Sequence, residues 1–206
     1  SIKHMICSFE FSLYLSYFCD LIICDYNYVF DPKAHLIRYF DDDTYKPKIL
    51  IDEAHNLVSR SKEMYSASFF LSALVIMNDL LSNMNVLVKN FILCLSEFEE
   101  LINEQLFYYS YFIDDKMYNC LLKIKNKCEV ILSDNQNFVN RDKAIETFFV
   151  IKGFLDIAEY FGDNHVFMIE KVKDDYQISI NCLDASSYIL QTIKEKCYRT
   201  VLFSAT

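Results

Sequence analysis

Glycine and proline are nearly missing, with two of each in 206 residues. Loops must be short or built from Asn, Asp and Ser, and long helices are favoured. The two glycines, Gly153 and Gly162, cannot form a G-x-x-x-x-G-K-[ST] loop, so these residues hold no phosphate cradle of that kind. No C-x-x-C pair occurs among the cysteines at 7, 19, 24, 94, 120, 128, 182 and 197. Paired-thiol metal spacing is therefore excluded, and reduced, buried thiols of a cytoplasmic protein are expected. Positive charge is scarce, since the net charge is −9. Such a chain is not drawn to nucleic acid by long-range attraction, so any contact must be local. The nearest approach to a membrane span, from Met5 to Cys24, is interrupted by Glu10 and Asp20, so neither a span nor a signal peptide is expected. Apolar residues make up 53% and aromatics 16%, enough for a sizeable core.

One stretch organises what is present: Ile49-Leu50-Ile51-Asp52-Glu53-Ala54-His55. A short apolar run without polar alternation reads as a strand covered on both faces, as in parallel sheets. The two carboxylates then lie at its C-terminal end, where open α/β sheets bind ligands. Asp52 suits a Mg²⁺ ion bridging nucleotide phosphates, and Glu53 suits orienting or deprotonating a water.

Upstream, the spacing of Phe9, Leu13 and Tyr17 predicts a buried helix over Ser8 to Cys19. Asp20 to Asp25 predicts a second buried strand. Asp31 and Pro32 suit the N-cap and first position of a helix running to Phe40. With the strand at 48–52, this makes a βαβ unit with a right-handed crossover.

From Ser59 to Phe161 the pattern is helical, with no strand signal. One face groups Phe69, Ala73, Ile76 and Leu80. Another groups Leu87, Phe91, Leu95 and Phe98, with Leu101 and Leu106 beyond. Two further stripes are Met117, Leu121, Ile124, Cys128 and Ile131, and Ala144, Phe148, Ile151, Leu155 and Ala158, with Gly162 as the C′ cap. Such stripes are core, and four or so helices make a bundle. Lys89, Lys116, Lys123, Lys125, Lys127, Arg141 and Lys143 are either local DNA contacts or a solvated face. The alternation of Lys123, Lys125 and Lys127 argues against a basic stripe. His165 to Val172 and Tyr176 to Leu183 predict a hairpin turning at Lys173-Asp174-Asp175. Asp184 or Ser186 caps a helix to Cys197, and Arg199 to Phe203 is a last buried strand ending in Ser204-Ala205-Thr206.

The strings Cys7-Ser8-Phe9-Glu10, Asp25-Tyr26-Asn27-Tyr28-Val29-Phe30-Asp31-Pro32, Asp52-Glu53-Ala54-His55 and Ser204-Ala205-Thr206 occur in an order and spacing that resemble the XPD/DinG-like iron-sulfur DNA helicases of superfamily 2, the bacterial branch most closely. The resemblance implies an α/β fold with a large helical insertion, a partial parallel-sheet P-loop-type motor domain plus an all-α bundle called the arch. On it, residues 1–58 are motor domain 1 up to the DEAH box, 59–162 the arch, and 163–206 the return to motor domain 1. Asp52 and Glu53 would bind ATP and Mg²⁺, while His55, Ser204 and Thr206 would couple hydrolysis to movement on DNA. For His55 the bland alternative is a core histidine. Tyr26, Asn27 and Tyr28 either touch single-stranded DNA or pack the first strand against the arch. Cys7 falls where the family has the last ligand of a [4Fe-4S] cluster, with Ser8 in place of the usual proline. The other three ligands would precede Ser1, so this chain is expected not to build the cluster and, lacking the phosphate loop and second motor domain, to be inactive alone. The parent would be an ATP-dependent 5′→3′ helicase acting on single-stranded DNA or DNA forks. The competing expectation is a non-catalytic helical interaction module that keeps degenerate helicase strings.

Overall fold

A computed structural model describes residues 7–33, 36–40, 46–81, 84–134 and 140–205. The chain begins with α1 (Ser8–Leu15), a 3-10 turn (Ser16–Phe18), an extended stretch, and two single-turn helices, α2 (Asn27–Phe30) and α3 (Ile37–Phe40). Strand β1 (Lys48–Ile51) and a 3-10 turn (Ala54–Asn56) lead into α4 (Leu57–Met64), β2 (Ala67–Phe70), α5 (Leu71–Leu80), α6 (Asn85–Ser96) and α7 (Glu99–Gln105). Then come β3 (Phe107–Ser110), α8 (Asp115–Asp134), α9 (Arg141–Ala158), the hairpin β4 (His165–Val172) and β5 (Asp175–Cys182), α10 (Ser186–Lys196) and β6 (Arg199–Leu202).

Two sheets form. β1 and β6 pair in parallel, with Lys48 opposite Arg199 and Ile51 opposite Leu202. The other sheet is antiparallel in the order β2-β5-β4-β3. Its register sets Phe69, Ile178, Ile169 and Tyr108 in one row across the four strands, with Ala67, Ile180, Phe167 and Ser110 in a second row on the same face. α5 and α9 pack on that sheet, α9 against α5 and α8, and α8 against α6. Phe69 and Phe154 meet edge to face at 4.9 Å in the centre of this larger core. A smaller core joins Phe30, Ile51, Leu57, Met64 and Tyr65 to Cys182, Ala185 and Ile189. It seats β1, the turn after it and α10. The α/β class with a large helical part, expected from the sequence, is therefore what the chain adopts.

Several expectations need correction. The predicted helix over Ser8 to Cys19 stops earlier and buries nothing: Phe18 is 73% exposed. Asp20 to Asp25 is extended but pairs with no strand among the described residues, and Ile23 is 91% exposed, so the βαβ unit does not close. Asp31 does not cap a helix to Phe40. Its Oδ1 accepts the Lys33 amide in a local turn instead, which satisfies the amide there without a helix. β1 and β6 are not buried strands, since Leu50, Val201 and Leu202 are exposed. Only Cys128, Cys182 and Cys197 of the eight thiols are buried. Burial pushes the Cys128 thiol up to about 12.

Residues 59–162, expected to be all-helical, are not purely helical. β2 and β3 arise within this range, and both pair with the hairpin expected to belong to the motor domain. Phe167, Ile169, Ile178 and Ile180 lie in the same core as α5, α6, α8 and α9. Up to Cys182, then, the hairpin shares its sheet with β2 and β3 and its core with α5, α6, α8 and α9. In α5 the buried residues are Leu74 and Met77, not the stripe counted from Phe69, because Phe69 is in a strand and sets no helical phase. Leu101 and Leu106 are exposed, while Ile102 is buried. Gly162 has no positive φ and serves as an acceptor for the His165 amide rather than a left-handed cap. No described helix is long and apolar enough to cross a membrane.

The two cores are joined by an aromatic cluster. Tyr65 stacks on Tyr188 at 4.4 Å and meets Tyr160 edge-on at 5.5 Å, and Tyr188 donates its hydroxyl hydrogen to the Tyr160 carbonyl. His165 is fully buried against Phe161 and Tyr188, and neither ring nitrogen makes a hydrogen bond of good geometry among the described residues, the Tyr65 backbone being its nearest polar influence. Desolvation holds its pKa below the usual histidine range. The unfolded imidazole takes a proton near its ordinary value of about 6.5, the buried one only at lower pH. The unfolded state therefore binds more protons as pH falls through this window, and stability is lost on acidification. His165→Phe should flatten the decline in melting temperature as the pH falls through and below the ordinary histidine range. An unchanged slope in the variant would assign the decline to other groups.

Candidate active site

Ile49, Leu50 and Ile51 prefer an extended backbone, and their ladder with β6 continues past both strands. The Phe203 amide donates to the Ile51 carbonyl at 3.0 Å, and the Ala54 amide donates to the Phe203 carbonyl at 3.0 Å. These two bonds carry Ser204 alongside the Asp-Glu pair, about 150 residues away in sequence. The chain then turns sharply at Glu53, whose φ of 48° and ψ of 44° are left-handed. A non-glycine residue there costs about 1–2 kcal/mol and persists only where its surroundings hold it. The Tyr26 hydroxyl supplies part of that hold by donating to the Asp52 carbonyl, with the Glu53 carbonyl at 3.0 Å. Desolvation, then the nearby Asp52 and Glu53 carboxylates, push the Tyr26 phenol above its ordinary pKa, which keeps it a donor.

The side chains converge. His55 Nδ1 lies 2.9 Å from Ser204 Oγ and 3.2 Å from Glu53 Oε2, and Ser204 Oγ is 3.4 Å from that same oxygen. Asp52 Oδ1 accepts the Glu53 amide at 2.7 Å, which orients the aspartate on the turn. All these groups are open to solvent; His55 and Glu53 are 49% and 44% exposed. They can thus be reached by a ligand arriving at the strand ends. His55 is not a core histidine: its Nδ1 is shared between the strand-end serine and the glutamate.

The remaining predicted residues fall elsewhere. Asn27 is exposed at the start of α2, and Tyr28 stacks on Phe9 at 6.4 Å. Tyr26 faces the acidic turn. Cys7 is exposed at the start of α1. Thr206 lies outside the described residues. Among the described residues no group of three His, Cys, Asp or Glu side chains could hold a metal ion, so these cysteines do not fit an iron-sulfur cluster. Asp52 alone fits Mg²⁺, as one hard oxygen ligand of an ion whose other ligands would be phosphates and water. The bracing role of Tyr26 was not visible in the sequence, because a hydroxyl pointed at backbone carbonyls leaves no residue pattern.

Residues 1–74 match the DEAD_2 family model. No curated protein matches. A solved structure described as an XPD helicase is similar over 98% of this chain, with a TM-score of 0.54 and 15% identity. The match covers 35% of that structure, so the chain spans about a third of its length. The family match lies in the first 74 residues, with the helicase strings around Tyr26 and Asp52, and the structural likeness, at 15% identity, bears on the fold.

Proposed function

We propose that the chain is part of an ATP-dependent DNA helicase that moves 5′→3′ on single-stranded DNA, and that its exposed strand ends form the hydrolytic and coupling half of the ATP site. The observation that carries this reading is the Glu53–His55–Ser204 triangle, in which residues from both parallel strands share one imidazole nitrogen. In this reading Glu53 orients and deprotonates the attacking water, and Asp52 holds Mg²⁺ against the phosphates. His55 senses the state of Glu53 and passes it through Ser204 to β6. Tyr26 fixes the turn and acts as a positioning residue. Residues 59–182, hairpin included, act as the arch. Tyr28 and Asn27 are DNA-contact candidates on the neighbouring surface. A role for the parent protein in cytoplasmic DNA repair or replication is consistent with this reading. Cys7 is a cluster ligand only in company this chain does not supply.

The test is ATP hydrolysis by the full-length protein with and without oligo(dT). Stimulation by the single strand is expected for a motor whose hydrolysis is coupled to DNA. Stimulation by RNA alone would remove DNA from the proposal. Nucleotide binding without any hydrolysis would favour the non-catalytic module.

A further inference from the structure

Outside the site at the strand ends, α8 and α9 border an open groove of about 600 Å³ lined by Glu129, Arg141, Phe148, Phe149 and Lys152, among others. Its charges are unevenly satisfied. Glu129 pairs with Lys125 at 3.3 Å, and Lys152 pairs with Asp156 at 2.7 Å. Arg141 forms no ion pair among the described residues, and its Nε is buried without a hydrogen-bond partner there. A buried donor left unmade costs about 1–3 kcal/mol, and more when it belongs to a charged group. Native structures keep such a group where something else satisfies it. Counting the two paired partners, the lining is left with one uncompensated positive charge, in a chain whose net charge is −9. Beside it the Phe149 ring is 61% exposed although Phe148, next in the chain, is buried.

We infer that the α8–α9 cleft binds a nucleotide phosphate, with the Arg141 guanidinium on the phosphoryl oxygens and the Phe149 ring under the base. Nε and one Nη of an arginine present two parallel donors that match two phosphate oxygens, which a lysine cannot copy. An exposed aromatic face accepts any base, because every base has a π-face. Lys152 is neutralised by Asp156 and Glu129 by Lys125, so the attraction rests on Arg141. The phosphate can come from a free mononucleotide or from a single strand. This inference does not rest on the hydrolytic site, since binding is read without turnover.

The experiment titrates the 206-residue chain with dTMP, oligo(dT) and inorganic phosphate while following the Arg141 Nε–Hε resonance. That resonance should move with dTMP or oligo(dT). Arg141→Gln should weaken binding by about tenfold or more, Arg141→Lys should not restore it, and Phe149→Ala should weaken it several-fold. Oligo(dT) binding more tightly than dTMP assigns the phosphate to a strand, and equal affinity assigns it to a free nucleotide. Circular dichroism and melting of each variant establish that it is folded. The inference is overturned if the Arg141 resonance stays in place with both ligands or if inorganic phosphate binds as tightly as dTMP. It is equally overturned if Lys143→Gln, outside the cleft lining, weakens binding as much as Arg141→Gln.

Discussion

Glu53→Gln is expected to lower kcat for ATP hydrolysis in the full-length protein by about 10²–10⁴-fold, the usual worth of a positioned general base. The substitution keeps the size of the side chain. The amide can still accept from Ser204, and the backbone turn braced by Tyr26 does not depend on the carboxylate. What disappears is the ability to take a proton from water. Nucleotide binding should therefore survive, and KM should change far less than kcat. On the proposed reading, Asp52→Asn should behave differently, raising the Mg²⁺ concentration needed for half-maximal rate, because it would weaken a ligand of the ion rather than the base. His55→Ala should leave basal hydrolysis closer to normal and reduce its stimulation by DNA. A Glu53→Gln enzyme within about fivefold of the wild type would remove Glu53 from the base role.

What could be read from residues alone follows from how local each signal is. The DEAH and Ser-Ala strings each end an apolar strand, and parallel strands place like ends together, so their meeting needed no knowledge of the chain between. α8 and α9 were legible for a similar reason: Met117, Leu121, Ile124 and Cys128 recur at strict 3-4 spacing with charged residues between them. β2 and β3 were not. Each is four residues long and flanked by helix, and Ala67-Ser68-Phe69-Phe70 has too few residues to show a period of two. Their signal was indirect. A hairpin as long as β4 and β5 seldom stands alone, and it needed partners that only the presumed bundle could supply.

The amino-terminal expectations failed differently. Phe9, Phe11, Leu13 and Tyr17 are apolar enough for a core, but apolarity does not say what covers it. The described neighbours are few, chiefly Tyr28 beside Phe9 and Tyr39 beside Tyr17. The site shows the same limit. The types of Asp52, Glu53, His55 and Ser204 were readable because their chemistry is carried by side chains. The left-handed Glu53 backbone and the hydroxyl that holds it were not, since a glutamate carries no preference for that conformation.

The largest stability effect is expected at Phe154→Ala, about 3–5 kcal/mol for emptying a buried aromatic site. Phe154 is 1% exposed and sits edge-on to Phe69, which in turn lies 6.0 Å from Phe91, so one ring ties α9 to β2 and through it to α6. Truncation removes both the apolar area and the edge-to-face contact, and the sheet on one side and helices on the other limit how far the cavity can collapse. Phe149→Ala, five residues earlier on the same helix but 61% exposed, should cost about 1 kcal/mol or less. In thermal melts of the 206-residue chain, the first variant should lose on the order of 10 °C and the second a few degrees at most. Equal losses would mean that Phe154 is not the tie between helix and sheet. The contrast also separates the two lobes. If the smaller core around Ile51, Leu57 and Ile189 keeps its own cooperativity, the aromatic junction at Tyr65 and Tyr188 is a boundary, and Phe154→Ala should lower the first of two transitions. A single transition shifted as a whole would make that junction part of one continuous core, through which strain around Phe154 reaches the Glu53 turn directly.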